Sequence, residues 1–383
     1  MPITDSLKKL DLKGLAAKAG GIFSPPQDLI GVDIGNYAIK IACVKIEGGK
    51  PRLKAWGYLP MEAKPESSPE EKRQQSINLL KAFLIQKNLP AKLAATSISG
   101  NAVIVRYVKF PLLTKAELRA TLPTEAEPFI PFDIKDVQLS FHVLSEIMEE
   151  GQKRMETVLV AAKKEVVQGR LDLIESTGLR LSLIDVDSFA LENVHERVEP
   201  PKERAPAVLY LNIGHLVTNL SIIHEGITRV VRDVFVSGNT FTKAIMKALQ
   251  YDYAKAEEAK KKFGLLLDQE EKEKALQEGN RDALGVSQAV QGSIKDLVSE
   301  VHRSVDFYLS QGPERSIGRI VLCGGSAKLK NLAKYLTGEL KVPVSVLNPT
   351  SFLADVPADV PADVLPALSV AVGLSLRRHK DWV

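Results

Sequence analysis

Cysteine, net charge and long apolar runs are all scarce in this sequence, and each scarcity excludes a class of protein. Only two cysteines occur among 383 residues. Cys43 and Cys323 each sit in an apolar run that reads as a buried strand, which excludes a disulfide framework and fits a reducing compartment. With 51 Lys and Arg against 47 Asp and Glu, the net charge of +4 is too small to build an extended nucleic-acid surface, and no nucleic-acid partner is expected. The longest stretch free of Asp, Glu, Lys and Arg, residues 205–224, still carries Asn212, Gly214, His215, Thr218 and Asn219, and residues 365–376 are too few to cross a bilayer. No transmembrane helix is expected. The start, MPITDSLKKLDLKG, interleaves lysine with leucine instead of setting a basic block before an apolar one. A secretory signal is therefore not expected, and the chain should stay in the cytoplasm.

A chain of this length exceeds one ordinary core, so two or more substructures with a cleft between them are expected. Residues 1–27 form a basic, leucine-bearing tail broken by Gly20-Gly21 and Pro25-Pro26. It reads either as a solvated terminus or as an amphipathic segment for an anionic membrane or a partner. From Leu29, LIGVDIGNYAIKIACVKIEGGKPRLKAWGYLPM spells strand, tight turn, strand, Gly48-Gly49 hairpin and strand, hence three antiparallel strands. A polar link over 62–74 leads to a helix whose Ile77, Leu80, Phe83 and Leu84 share one face. Residues 96–178 read as an inserted α+β subdomain, and the charged, Pro-rich EPPKERAP (199–206) reads as a linker. Beyond it, VLYLNIGHLVTNLSIIHEGITRVVRDV repeats the first hairpin: one apolar strand ends in Asp33-Ile34-Gly35, the other in Asn212-Ile213-Gly214. The expected division is a tail (1–27), a first lobe in two parts (28–95 and 179–205) around the insertion (96–178), a second lobe (206–350) with a helical subdomain (240–315), and a segment (351–383) whose DVPADVPADV loop and final helix return to the first lobe.

The turns carry the chemistry. A nucleoside triphosphate needs backbone N–H groups near its phosphates, a glycine that lets the chain approach, and a carboxylate or amide to hold hydrated Mg²⁺. VDIGNYAIK contains these parts: Asp33 for Mg²⁺ through water, Gly35 and Asn36 as backbone donors, and Lys40 for phosphate. The second hairpin offers Gly214, His215 and Thr218 from the facing lobe. Leu322-Cys323-Gly324-Gly325-Ser326 places two glycines between an apolar strand and a helix, where an adenine ring can lie against bare backbone. Each turn taken singly is also an ordinary turn. Their repetition and order are the informative feature.

In that order the three loops resemble the phosphate-one, phosphate-two and adenosine motifs of the actin, sugar-kinase and heat-shock-chaperone superfamily. The resemblance implies an α/β, actin-like two-lobed nucleotide-binding fold of duplicated ribonuclease H-like lobes, with ATP and Mg²⁺ in the cleft. It also implies that Gly238 lies near the nucleotide, and that Glu257 and Lys260 face its ribose and adenine. A solvated helix face is the other reading of that pair. RYVKFPLLTKAELRATLPTEAEPFIPFDIKDVQLSFHVL, then VLVAAKKEVV, GLRLSLIDVDSFAL and VFVSGNTFTKAIMKAL, closely resemble the PilM family of type IV pilus assembly proteins, over about Leu29 to Arg378.

Membership implies a cytoplasmic, ATP-binding component, peripheral at the inner membrane, that holds the short N-terminal cytoplasmic peptide of a PilN-like membrane protein. Further pilus machinery and a homo-oligomer are the other partners implied. Relatives dock the peptide in an apolar groove between the insertion and the first lobe, for which Val103, Val105, Phe129 and Phe132 are candidates, core positions being their other reading. Two departures bear on catalysis. Asn212 stands where many members have Asp, and Asp187 stands where relatives often use Glu to orient water. The shorter arm displaces that water by about an ångström, a loss on the order of a hundredfold. Asp187 is thus the one catalytic candidate, and ATP binding with weak or no hydrolysis is expected. The alternatives are an FtsA-like cell-division filament protein, for whose C-terminal membrane helix LRRHKDWV is too short and charged, and a small-molecule kinase, for which no general base beyond Asp187 is evident.

Overall fold

The computed structural model describes residues 28–61, 67–89, 92–200, 202–312 and 315–377; the basic tail over 1–27 lies outside them. Three sheets organise the chain. The first is ordered β3 (Lys50–Pro60), β2 (Ala38–Glu47), β1 (Leu29–Ile34), β4 (Leu93–Ile98), β8 (Arg180–Val186). The hairpin strands β1–β3 are antiparallel, and β4 and β8 run parallel to β1. One face is covered by α1 (Pro69–Lys87), which starts at a Ser68/Glu71 capping box with Pro69 in its first turn and buries Ile77, Leu80 and Phe83. α3 (Lys164–Glu175) adds Leu173 and Ile174 to the same core.

The second sheet repeats that order: β11 (Ile227–Val234), β10 (Thr218–His224), β9 (Ala207–Ile213), β12 (Ile317–Cys323), β13 (Val344–Val346). The internal repeat seen in the hairpins thus extends to both sheets, strand for strand. Helices α5 (Gly238–Leu249), α6 (Tyr253–Phe263), α7 (Gln269–Gln277), α8 (Arg281–Leu309) and α9 (Leu332–Leu340) belong to this half. α8 buries Val286, Val290, Ile294, Leu297 and Val301 along one stripe at helical spacing.

Between the sheets lie α4 (Asp187–Val198) and α10 (Ser369–Ser375), in a core shared by Leu29 and Ala42 on one side and Tyr210 and Cys323 on the other. Both approaches are too close for a side chain: a Cβ on Gly373 would collide with the Ala190 carbonyl, and one on Gly31 with that of Ala371. The segment before α10 is strapped down at every fourth residue. Asp355 meets Arg52 at 3.1 Å, Asp359 accepts from Trp56 Nε1 at 3.0 Å, and Asp363 meets Lys328 at 3.1 Å.

The third sheet, β5 (Val103–Pro111), β7 (Gln152–Lys163), β6 (Val137–Glu149), is wholly antiparallel and is covered by α2 (Lys115–Ala126). The structure narrows the insertion expected at 96–178. β4 straddles that boundary and sits centrally in the first sheet, because a short run of small residues, LAATSI, carries no strand periodicity strong enough to read. α3, counted with the insertion, buries Leu173 and Ile174 against Ile30, Val32 and Leu80 of the first sheet's core. Periodicity shows that a helix has a buried face; it does not say which sheet covers it.

Candidate nucleotide site

The two hairpin turns face each other across a cavity of about 600 Å³. On the first side, β1 ends at Asp33 and Ile34, Gly35 N donates to Ala38 O at 3.2 Å, and Lys40 returns along β2. Lys40 Nζ rests on Asp33 Oδ2 at 2.8 Å and donates to Ala38 O at 3.3 Å. Lys40, expected at a phosphate, is thus committed here to the carboxylate beside it. A Cβ on Gly35 would lie 2.6 Å from this ammonium, so the turn tolerates only glycine without moving Lys40.

On the facing side, the turn after β9 is pinned by the start of α5. Gly214 N donates to Val217 O at 3.0 Å, Gly238 N to Gly214 O at 2.9 Å, and Asn239 N to His215 O at 2.9 Å. The third turn closes the cavity after β12. Gly324 has φ +83°, and a Cβ there would come within 2.6 Å of Asn212 Oδ1. Only glycine combines that backbone with that approach.

Every site residue named from the sequence lines this cavity except Thr218. Thr218 is fully buried and donates to Val236 O at 2.6 Å. Strand alternation explains the miss: side chains 218 and 219 point to opposite faces, and Asn219 is the one that faces the cavity. Asn219 accepts from Asn212 Nδ2 at 3.0 Å and donates to Asp233 Oδ1 at 2.5 Å. The Asn212 amide is therefore held in a buried polar chain.

Glu257 and Lys260 are buried, not a solvated helix face. Lys260 Nζ reaches Glu257 Oε2 at 2.6 Å, Thr242 Oγ1 at 2.9 Å and Gly238 O at 3.1 Å. Those three bonds use all the protons of an ammonium, so Lys260 ties α6 to α5 and keeps no donor for a ribose or adenine. Burial opposes the Glu257 charge, but Lys260 and the Thr242 hydroxyl outweigh it and hold the carboxyl below its usual range.

Asp187 opens α4 at the cavity wall. Burial and the neighbouring Asp33 push its carboxyl up to about 6, against the pull of the Ser97 and Ser99 hydroxyls. His215 is driven the other way, to about 4, by burial and by Lys260, and is neutral near pH 7. It lies against Tyr37, ring centroids 5.6 Å apart, and Tyr37 OH meets Lys261 Nζ at 2.7 Å, so one aromatic side chain joins the two lobes at the cleft.

Tyr37, Asn219, Lys261 and Arg170 also line the cavity and were not anticipated. For Arg170 a signal existed: it follows Val166 by four residues and precedes Leu173 by three, placing a cation on the apolar face of its helix. The groove candidates divide between two clusters. Val103 and Val105 are buried with Ile98 and Val186 of the first sheet, whereas Phe132 belongs with α2 and Phe129 is exposed, edge-on to Phe110. Among the described residues no three His, Cys, Asp or Glu side chains gather to hold a metal ion, and no helix is long and apolar enough to cross a membrane.

Two sheets of the same strand order, each presenting its first hairpin turn to a common cleft closed by a Gly-Gly turn, define the actin-type ATPase fold, here with a third sheet inserted in the first lobe. The sequence also matches the family model of the type IV pilus assembly protein PilM over residues 31–379. The chain belongs to the PilM family.

A solved PilM–PilN type IV pilus biogenesis complex is 28% identical to it, with a TM-score of 0.77 over 92% of this chain and 99% of that one. Two more distant structures share the fold. The ethanolamine utilization protein EutJ from Carboxydothermus hydrogenoformans is 14% identical, with a TM-score of 0.52 over 92% of this chain and 90% of that one. MreB 5 of Spiroplasma citri bound to AMPPNP is 13% identical, with a TM-score of 0.51 over 91% and 95%.

Proposed function

We propose that this chain is a cytoplasmic, ATP-binding adaptor at the inner membrane that holds the N-terminal cytoplasmic peptide of a PilN-like membrane protein. The observation that carries the partner is the likeness, over nearly the full length of both chains, to a PilM–PilN complex at 28% identity. The nucleotide rests on the chain's own residues, and their donor set fits it. Asp33 stands where a hydrated magnesium ion would be held, the turns after Gly35 and Gly214 present the backbone N–H groups of Asn36 and His215 from opposite lobes while those of the two glycines bond Ala38 O and Val217 O, and the Gly324–Gly325 turn leaves bare backbone for a base. Lys40 becomes a phosphate ligand by exchanging Asp33 for an incoming anion.

Mg–ATP, when bound, supplies a polyphosphate that both lobes can grip and a γ-phosphoryl group open to attack by water. The residues favour the grip over the attack. Asn212 brings no charge, and one N–H of its amide is bonded to Asn219. The proton affinity of Asp187 suits a general base, but its short carboxylate is held by Ser97 and Ser99 at the start of a helix. ATP then stabilises one arrangement of the lobes and acts as a switch on partner binding.

Titration calorimetry and a phosphate-release assay on the purified chain test the nucleotide part. Binding of Mg–ATP is expected, with turnover far below the roughly 1–1000 s⁻¹ common among enzymes. Absence of binding, or sustained turnover within that range, contradicts it.

A further inference from the structure

The chain leaves the third sheet at Lys163, the last residue of β7, and enters α3 at Lys164. Arg170, in the second turn of that helix, lines the cavity together with Val166. One Nη donates to Ile34 O at 3.1 Å, the carbonyl between Asp33 and Gly35. A guanidinium carries five N–H donors, and among the described residues no second hydrogen bond or ion pair engages this one. Asp187 and Asp33 lie near enough to attract it, but among the described residues neither forms an ion pair with it, and Asp33 Oδ2 carries Lys40 at 2.8 Å instead. Arg170 is partly buried in the cavity wall, and a cation withdrawn from water without a paired anion is unfavourable unless a ligand supplies one.

The position of the cation selects the ligand group. Arg170 stands with Asp33 and Asp187 on the first lobe, whereas the Gly324–Gly325 turn proposed for the base belongs to the second sheet. The part of a nucleotide that reaches Arg170 is the part farthest from the base. We propose that Arg170 grips the terminal phosphate of a bound nucleoside triphosphate and so makes the site prefer triphosphate over diphosphate. The planar fork of arginine matches two phosphate oxygens at once, which lysine's point charge does not. This inference rests on the nucleotide reading above.

Calorimetric titration of wild type, Arg170→Gln and Arg170→Lys with a magnesium-bound non-hydrolysable ATP analogue and with Mg–ADP separates the two. Arg170→Gln is expected to weaken the triphosphate by about 10- to 100-fold, the range for hydrogen bonds to charged groups, and to leave ADP within about twofold. Arg170→Lys keeps charge but not the fork, and falls between. An unchanged ratio of the two affinities in a variant whose nucleotide-free unfolding midpoint matches wild type overturns the inference and leaves the nucleotide reading standing. A wild type that binds neither nucleotide overturns both. If Arg170→Gln does not fold, the ratio measured for Arg170→Lys decides.

Discussion

Asp33→Ala is expected to weaken Mg–ATP binding by about a hundredfold or more, a loss of roughly 2.7 kcal/mol. The carboxylate is the one acid at the turn where both lobes meet the cavity, and the equivalent position in the second hairpin is the uncharged Asn212. The neighbouring Asp187 is a poor substitute, its carboxyl being pushed up to about 6 by burial and by Asp33, and among the described residues no three acids, cysteines or histidines gather to hold the metal. The substitution also releases Lys40, now 2.8 Å from Asp33, into the cavity. Residual ATP binding in the variant should therefore be indifferent to EDTA, whereas wild-type binding should fall when the metal is removed. Unchanged ATP affinity in Asp33→Ala would refute the assignment of this turn.

Lys260→Met is the second substitution with a large expected effect, and it acts on stability. Its ammonium holds Glu257 at 2.6 Å inside the second lobe, with both side chains buried. Removing the cation leaves Glu257 only the Thr242 hydroxyl at 2.6 Å and the half-exposed Lys261 at 3.7 Å, so the loss is expected to approach the low end of the about 3–5 kcal/mol seen for broken buried pairs. Glu257→Gln combined with Lys260→Met removes both charges and should recover a large part of the loss. Chemical denaturation of the two single variants and the double variant reads this coupling directly. A double variant as unstable as the sum of the singles would show that the pair is not coupled, and that the contacts to Thr242 and Gly238 account for the effect instead.

These two sites also show how much of the molecule can be read without coordinates. The hairpins at Asp33 and Asn212 are legible because a glycine after an apolar strand is a local signal, and its recurrence reports the duplication that both sheets then display. The Gly324–Gly325 turn is legible for the same reason. β4 is not, since LAATSI is short, small and central, and only hydrogen bonding to β1 and β8 makes it a strand. Thr218 and Asn219 differ by one position, and that position decides which of them faces the cleft; the register is set by pairing with β9, not by residue type. Lys260 carries the right charge on a helix beside the cavity, but its protons are spent on partners 3, 18 and 22 residues away. The spacing of Arg170 marks it as a cation on an apolar helix face, but its partner Ile34 O lies 136 residues away, so the turn it touches is not legible locally. Local chemistry is legible; commitments made across the fold are not.

On the proposed function, nucleotide and partner peptide meet on one adaptor. The most direct test of this is titration of a synthetic peptide from the N-terminus of a PilN-like protein into the full chain, with and without Mg–ATP. Saturable one-to-one binding is expected, with an affinity that differs between the two conditions. Failure of the peptide to bind in either condition would contradict the account.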